Sequence, residues 1–199
     1  MIKTFIFDLG GVILTRWLRF FREYLVETYW VSDQQTIDVF IKKYYRPYFS
    51  WKMTEDEFWN GALTDLGIAV DWQELKQRLL DYYLLQEDVA TLIQVIREQW
   101  YVTVLLSDQT NDRWPYLNNK YLIASLFDHV VISSEVGLHK PDPKIYKYAL
   151  NVSSSESREV LFIDDLEKNL TPAKELGIKT LLFIDFDTLK SDLDKYLEE

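Results

Sequence analysis

Four apolar runs of strand length punctuate the chain, and each stops at polar residues. Ile2 and Phe5-Ile6-Phe7 lead into Asp8, followed by Leu9-Gly10-Gly11-Val12. Tyr101-Val102-Thr103-Val104-Leu105-Leu106 leads into Ser107-Asp108. Val130-Val131-Ile132 leads into Ser133-Ser134 and then Gly137-Leu138-His139-Lys140-Pro141-Asp142-Pro143, and Val160-Leu161-Phe162-Ile163 leads into Asp164-Asp165. Short apolar, β-branched runs bounded by turn residues predict buried strands. Between the first and second runs the period changes. Trp17, Phe20, Phe21, Tyr24 and Leu25 form a stripe at helical spacing. Ser32-Asp33 can cap a second helix running to about Tyr45, with Pro47 beyond it. Thr54 and Glu57 form a capping box for a third helix that Gly67 ends, and Asp71 can cap a fourth through Leu75, Leu79, Leu80 and Tyr83. The expected fold is α/β: a three-layer, Rossmann-like parallel sheet with a four-helix insert after the first strand. Residues 1–14 and 86–199 would form the core, and 15–85 the helical insert.

The strand ends carry the chemistry. A carboxylate closing an apolar run is costly to bury unpaired. The glycine pair after Asp8 breaks the strand and lets the backbone turn with its amides facing a ligand. In an open parallel sheet the carboxyl ends share one edge, where ligands bind. An acid, a hydroxyl, a lysine and an acid pair would therefore converge on one crevice.

In this order the motifs resemble those of the haloacid dehalogenase (HAD) superfamily of hydrolases, in the branch with a helical cap. Asp8-Leu9-Gly10-Gly11-Val12 matches its first motif, Ser107 its second, Lys140 its third, and Asp164-Asp165 with Asn169 its fourth. The resemblance runs from Ile2 to about Phe183 and is greatest to the small sugar-phosphate phosphatases. It implies a Mg²⁺-dependent phosphatase in which Asp8 attacks phosphorus and forms an aspartyl-phosphate. Asp8, the Gly10 carbonyl and Asp165 would hold the ion, with Asp164 beside them and Asn169 orienting the pair. Ser107, the amides from Leu9 to Gly11, the Asp108 position and Lys140 would surround the phosphate. The helical cap would close over the crevice.

Two positions depart from the family pattern. Most family phosphatases carry a general acid two residues after the nucleophile, where this chain has Gly10. Asp108 stands where relatives often have Asn. A carboxylate there is repelled by phosphate unless protonated or turned away, so Asp108 reads as a loop or capping residue, with replacement of the missing acid as the alternative. His139 and His129 carry no catalytic expectation.

Composition narrows the classes. With 32 acids against 22 bases the net charge is −10, which disfavours nucleic acid as a partner. Without cysteine there is neither a disulfide framework nor a thiolate metal site. No apolar stretch approaches the ~20 residues that span a bilayer, and no secretory signal is evident, so a cytoplasmic enzyme acting on a small phosphorylated metabolite is expected. Seventeen of the 31 aromatic residues lie between Trp17 and Tyr83. Most would fill the insert's core. Arg16, Trp17, Tyr45 and Arg46, with Tyr44, Tyr48 and Trp51, are the candidates for binding the substrate's organic part. Two other functions share these motifs: dehalogenation of a haloacid through an aspartyl ester, and a weakly active or non-catalytic binding protein. Dehalogenation needs no divalent cation and leaves the acid pair unexplained.

Overall fold

Five strands form: β1 (Thr4–Phe7), β2 (Val102–Ser107), β3 (His129–Ile132), β4 (Val160–Asp164) and β5 (Lys179–Leu182). All pair in parallel in the order β3-β2-β1-β4-β5. The computed structural model describes residues 1–49 and 51–197, the side chains of Trp17 and Leu197 excepted. The chain divides into two compact units, Met1–Thr15 with the chain from Leu85 onward, and Arg16–Leu84.

The α/β unit is built on period-two burial. Ile6, Val104, Leu106, Val131, Val160 and Phe162 pack on one face against α9 (Pro143–Val152) and α10 (Glu167–Glu175), through Ile145, Tyr146, Ala149, Leu170 and Ala173. Phe5, Phe7, Leu105, Leu161 and Ile163 alternate with them and are fully buried too. Helix α6 (Glu87–Glu98), with buried Val89, Ile93 and Ile96, contacts β2. Each such side chain contributes about 1.5–3 kcal/mol of burial. Burial on both faces is why these strands read as unbroken apolar runs. The fifth strand lacks that signature. It lies at the sheet's edge and buries only Leu181. Because β2 and β4 flank β1 on opposite sides, the chain's winding reverses at β1, and the carboxyl end of β1 is the switch point at which open α/β sheets bind ligands.

The helical unit comprises α1 (Trp17–Tyr29), a run made of α2 (Asp33–Gln35), a π-helical stretch (Thr36–Tyr45) and α3 (Arg46–Phe49), then α4 (Glu55–Leu66) and α5 (Trp72–Asp81). Ser32 and Thr54 form capping boxes with Gln35 and Glu57, Gly67 ends α4 at φ 69°, and Asp71 accepts the Gln73 amide. Two details differ from the sequence pattern. Phe20 is 43% exposed and stacks on Tyr82, while Phe21 and Leu25 are the stripe's fully buried members. Pro47 does not stop the second run. It is the second residue of α3, which continues directly from the π-helical stretch.

Phe40 lies at the centre of the unit's aromatic core, 5.1 Å from Phe21, 5.1 Å from Phe58 and 5.7 Å from Trp59. Gly61 on α4 faces the Tyr44 ring so closely that a Cβ there would overlap it. Moving that ring breaks the 2.9 Å hydrogen bond from the Tyr44 hydroxyl to Asp65. Overpacking costs about 1–3 kcal/mol against a helix gain of ~1 kcal/mol for Gly→Ala. Gly61→Ala is therefore expected to destabilise by about 1 kcal/mol in chemical denaturation.

Candidate active site

Asp8 follows β1 directly and is tied to β4 by its amide, which donates to the Ile163 carbonyl at 2.9 Å. Beyond it the chain folds into a tight loop in which the Leu9 carbonyl accepts the Ile13 and Leu14 amides. Gly11 sits at φ 92°, a conformation L side chains rarely adopt. Its amide donates to the Leu14 carbonyl at 2.6 Å. That corrects one expectation: the Gly11 amide is committed within the loop, so Gly11 shapes the turn.

Asp164 closes β4. Its carboxylate accepts the Leu166 amide at 2.8 Å and the Asn169 Nδ2 at 3.0 Å on both oxygens. Asn169 is fixed in turn because its carbonyl accepts the Tyr146 hydroxyl at 2.7 Å. Lys140, with its side chain 2% exposed, crosses between strands and donates to Asp8 Oδ1 and Asp164 Oδ2, each at 2.7 Å. Asp8, Asp164 and Asp165 are all buried and offer carboxylate oxygens within 4.8 Å of one another, a group that could hold a metal ion. The donor set is all oxygen, which suits a hard cation such as Mg²⁺.

The electrostatics are unbalanced. If all three acids were ionised, one ammonium would leave two negative charges in a buried site. Burial, with Asp164 and Asp165 adding to it against the pull of Lys140, pushes the Asp8 carboxyl up to about 8. Burial works against the Lys140 charge, but Asp164, Asp8 and Asp108 outweigh it and hold the ammonium above its ordinary range.

Ser107, the last residue of β2, is 1% exposed. The half-buried Asp108 accepts the Lys140 backbone amide at 3.0 Å. Asp8, Ser107, Asp108, Lys140, Asp164 and Asp165 thus come together along the carboxyl ends of β1, β2 and β4 and in the loop after α8 (Ser133–Val136). The capping reading of Asp108 fails: α7 (Arg113–Tyr121) begins at Asp112 with no side-chain cap. Sequence reasoning also missed the clamp in which the Ser133 hydroxyl bonds both the amide and the carbonyl of Gln109, at 3.0 and 3.1 Å. A serine beginning a helix gave no sign of it.

The remaining candidates belong to the helical unit. The Tyr45 ring packs on Phe49 at 4.6 Å and on Phe40 at 6.3 Å, and Tyr48 is buried and stacked on Phe58 at 4.9 Å, so both rings serve the aromatic core. Arg16 and Arg46 are exposed. The Trp17 side chain lies outside the described residues.

The family model of haloacid dehalogenase-like hydrolases matches residues 2–177, and the chain belongs to that family. The bifunctional epoxide hydrolase 2 of Sus scrofa is 44% identical over 69 residues, 35% of this chain, and the match spans only 12% of that relative. D-ribitol-5-phosphate phosphatase of Bacteroides thetaiotaomicron is 27% identical over 193 residues, covering 90% of this chain and 91% of that protein. A HAD family enzyme from the same organism, solved with magnesium and inorganic phosphate, superposes with a TM-score of 0.72 at 24% identity, covering 95% of this chain and 99% of the other. That likeness shows the shared fold. Among the described residues no helix is long and apolar enough to cross a membrane.

Proposed function

We propose that this protein is a Mg²⁺-dependent phosphatase that hydrolyses a small organic phosphate monoester through an aspartyl-phosphate on Asp8. The observation that carries this reading is the buried acid cluster: Asp8, Asp164 and Asp165 offer carboxylate oxygens within 4.8 Å of one another, Lys140 pairs with Asp8 and Asp164, and a divalent cation would balance the negative charge that one ammonium leaves. Asp8, Asp165 and the Gly10 carbonyl would hold the ion, which would supply charge neutralisation for the approach of one anion to another. Asp164, with three donors already making four hydrogen bonds to its oxygens, acts mainly by fixing Lys140.

An Asp8 oxygen attacks phosphorus in line with the ester oxygen, and the phosphorus–oxygen bond to the leaving group breaks. Water then attacks the aspartyl-phosphate, releasing phosphate and restoring the carboxylate. Lys140, the Ser107 hydroxyl and the amides of Leu9 and Gly10 stabilise the charge on the equatorial oxygens. Similarity to a D-ribitol-5-phosphate phosphatase over nine-tenths of the chain supports a sugar or polyol phosphate as substrate. Of the sequence candidates in the helical unit, Arg16, Trp17 and Arg46 are proposed to bind its organic part, Tyr45 being packed into the aromatic core.

Assay on an activated aryl phosphate with and without Mg²⁺ tests the reading. Metal-dependent turnover supports it. Metal-independent turnover of a chloroacid would replace it with the dehalogenase, and inactivity on both would leave a binding protein.

Metal affinity should also depend on pH. Because the Asp8 carboxyl titrates at about 8 in the metal-free protein, a proton competes with the cation below that value. Affinity for Mg²⁺ should climb as pH rises toward 8, by up to about tenfold per unit, and level off above it. Calorimetric titrations at pH 6, 7 and 8 would show this slope, and a flat affinity would contradict it.

A further inference from the structure

We propose that Asp108 is the acid–base residue of this site: its carboxyl group protonates the departing alkoxide and later takes a proton from the attacking water. The inference rests on the phosphatase reading above and deepens it.

The geometry starts from the sheet. β1 and β2 are neighbours in parallel register with Phe7 opposite Leu105. Three residues further along each chain come Gly10 and Asp108. The position that carries the proton donor in most family phosphatases is empty of any side chain here, and Asp108 supplies a carboxyl group directly after the neighbouring strand β2 ends at Ser107. Asp108 is also fixed to the reaction centre. Its Oδ1 accepts the Lys140 amide at 3.0 Å, and the same lysine's Nζ lies 2.7 Å from Asp8 Oδ1. One carboxyl oxygen is thereby anchored.

The other acids are unsuited to the task. Asp8 is the nucleophile, and Asp164 is saturated by Lys140, Asn169 and the Leu166 amide. Asp165 is a proposed metal ligand. His139 turns its Nδ1 to the Lys140 carbonyl at 3.0 Å. Asp108 remains, half-buried at the rim. Burial raises its pKa, with Asp164 adding, against the opposing pull of Lys140 and His139. A carboxyl group so placed holds its proton more readily than an exposed one, which also removes its repulsion of phosphate.

The proton balance closes. In the first half-reaction the Asp8–phosphorus bond forms, the bond to the leaving oxygen breaks, and that oxygen takes the Asp108 proton, giving an alcohol and the Asp108 carboxylate. In the second, water attacks phosphorus, its proton passes to Asp108, and the bond to Asp8 breaks. Asp108 ends protonated as it began.

The test compares an aryl phosphate with a good leaving group, which needs little proton donation, against an alkyl polyol phosphate, which needs it fully. Asp108→Asn is expected to lose about 10²–10⁴-fold on the alkyl ester and far less on the aryl ester. Gly10→Asp in the Asp108→Asn background should restore alkyl turnover, since a Cβ at Gly10 meets nothing within 4 Å. A retained thermal shift on adding Mg²⁺ checks that the Asn variant is folded. Equal loss on both esters would make Asp108 only an anchor for Lys140, and an unchanged alkyl rate would remove it from the reaction; either overturns the proposal while the phosphatase reading stands. A wild-type protein inert on both esters would overturn both.

Discussion

Asp8→Asn is expected to abolish phosphate ester turnover, by on the order of 10⁴-fold or more, as removal of a covalent nucleophile does elsewhere. The protein should stay folded. Asp8 is one of three clustered buried acids, and its carboxyl is pushed up to about 8 by burial, with Asp164 and Asp165 adding to it. An amide of the same shape relieves that repulsion, while Lys140 keeps its ion pair to Asp164. The metal-free variant should therefore melt no lower than wild type. Quenched single-turnover reactions would show no phosphate transferred to the protein. A variant within tenfold of wild-type activity would require another nucleophile.

Lys140→Met should have the largest effect on stability. The lysine makes two 2.7 Å ion pairs from a position with a 2% exposed side chain. Removing one partner of a buried charge network costs about 3–5 kcal/mol because the others stay behind uncompensated. Here three carboxylates would be left with no ammonium among them. Mg²⁺ should recover part of the loss, since it supplies positive charge to the same oxygens. Denaturant unfolding with and without Mg²⁺ measures both quantities. A change within about 0.5 kcal/mol, the range of an ordinary surface substitution, would mean that the lysine is not the site's counter-charge. Activity should fall with it, because the same ammonium stabilises the transferring phosphoryl group.

The parts of this molecule legible in its sequence are those with a strong local cause. β1, β2 and β4 announce themselves because central parallel strands are buried on both faces. The caps at Ser32, Thr54 and Asp71 are written in residues whose side chains bond amides two or three positions away. Asp8, Lys140 and the acid pair were identifiable because each interrupts an apolar run or a turn with a charge that burial would penalise. What stayed hidden depends on distant neighbours. Phe20 and Phe21 are chemically alike, and only the arrangement of α5 decides that one stacks at the surface on Tyr82 and the other is buried. The commitment of the Gly11 amide to Leu14 follows from the loop's shape rather than from any residue preference. The role of Asp108 needed the backbone of a residue 32 positions away, and β5 was obscured by the exposure of an edge strand.

One divalent cation is expected to join the end of β1 to the end of β4. A crystal structure grown with Mg²⁺ tests it most directly. The prediction is an octahedral ion about 2.0–2.1 Å from oxygens of Asp8, Asp165 and the Gly10 carbonyl, with Lys140 still bonded to Asp164. A structure at saturating Mg²⁺ with no ion between these carboxylates, or with the ion held elsewhere, would contradict it.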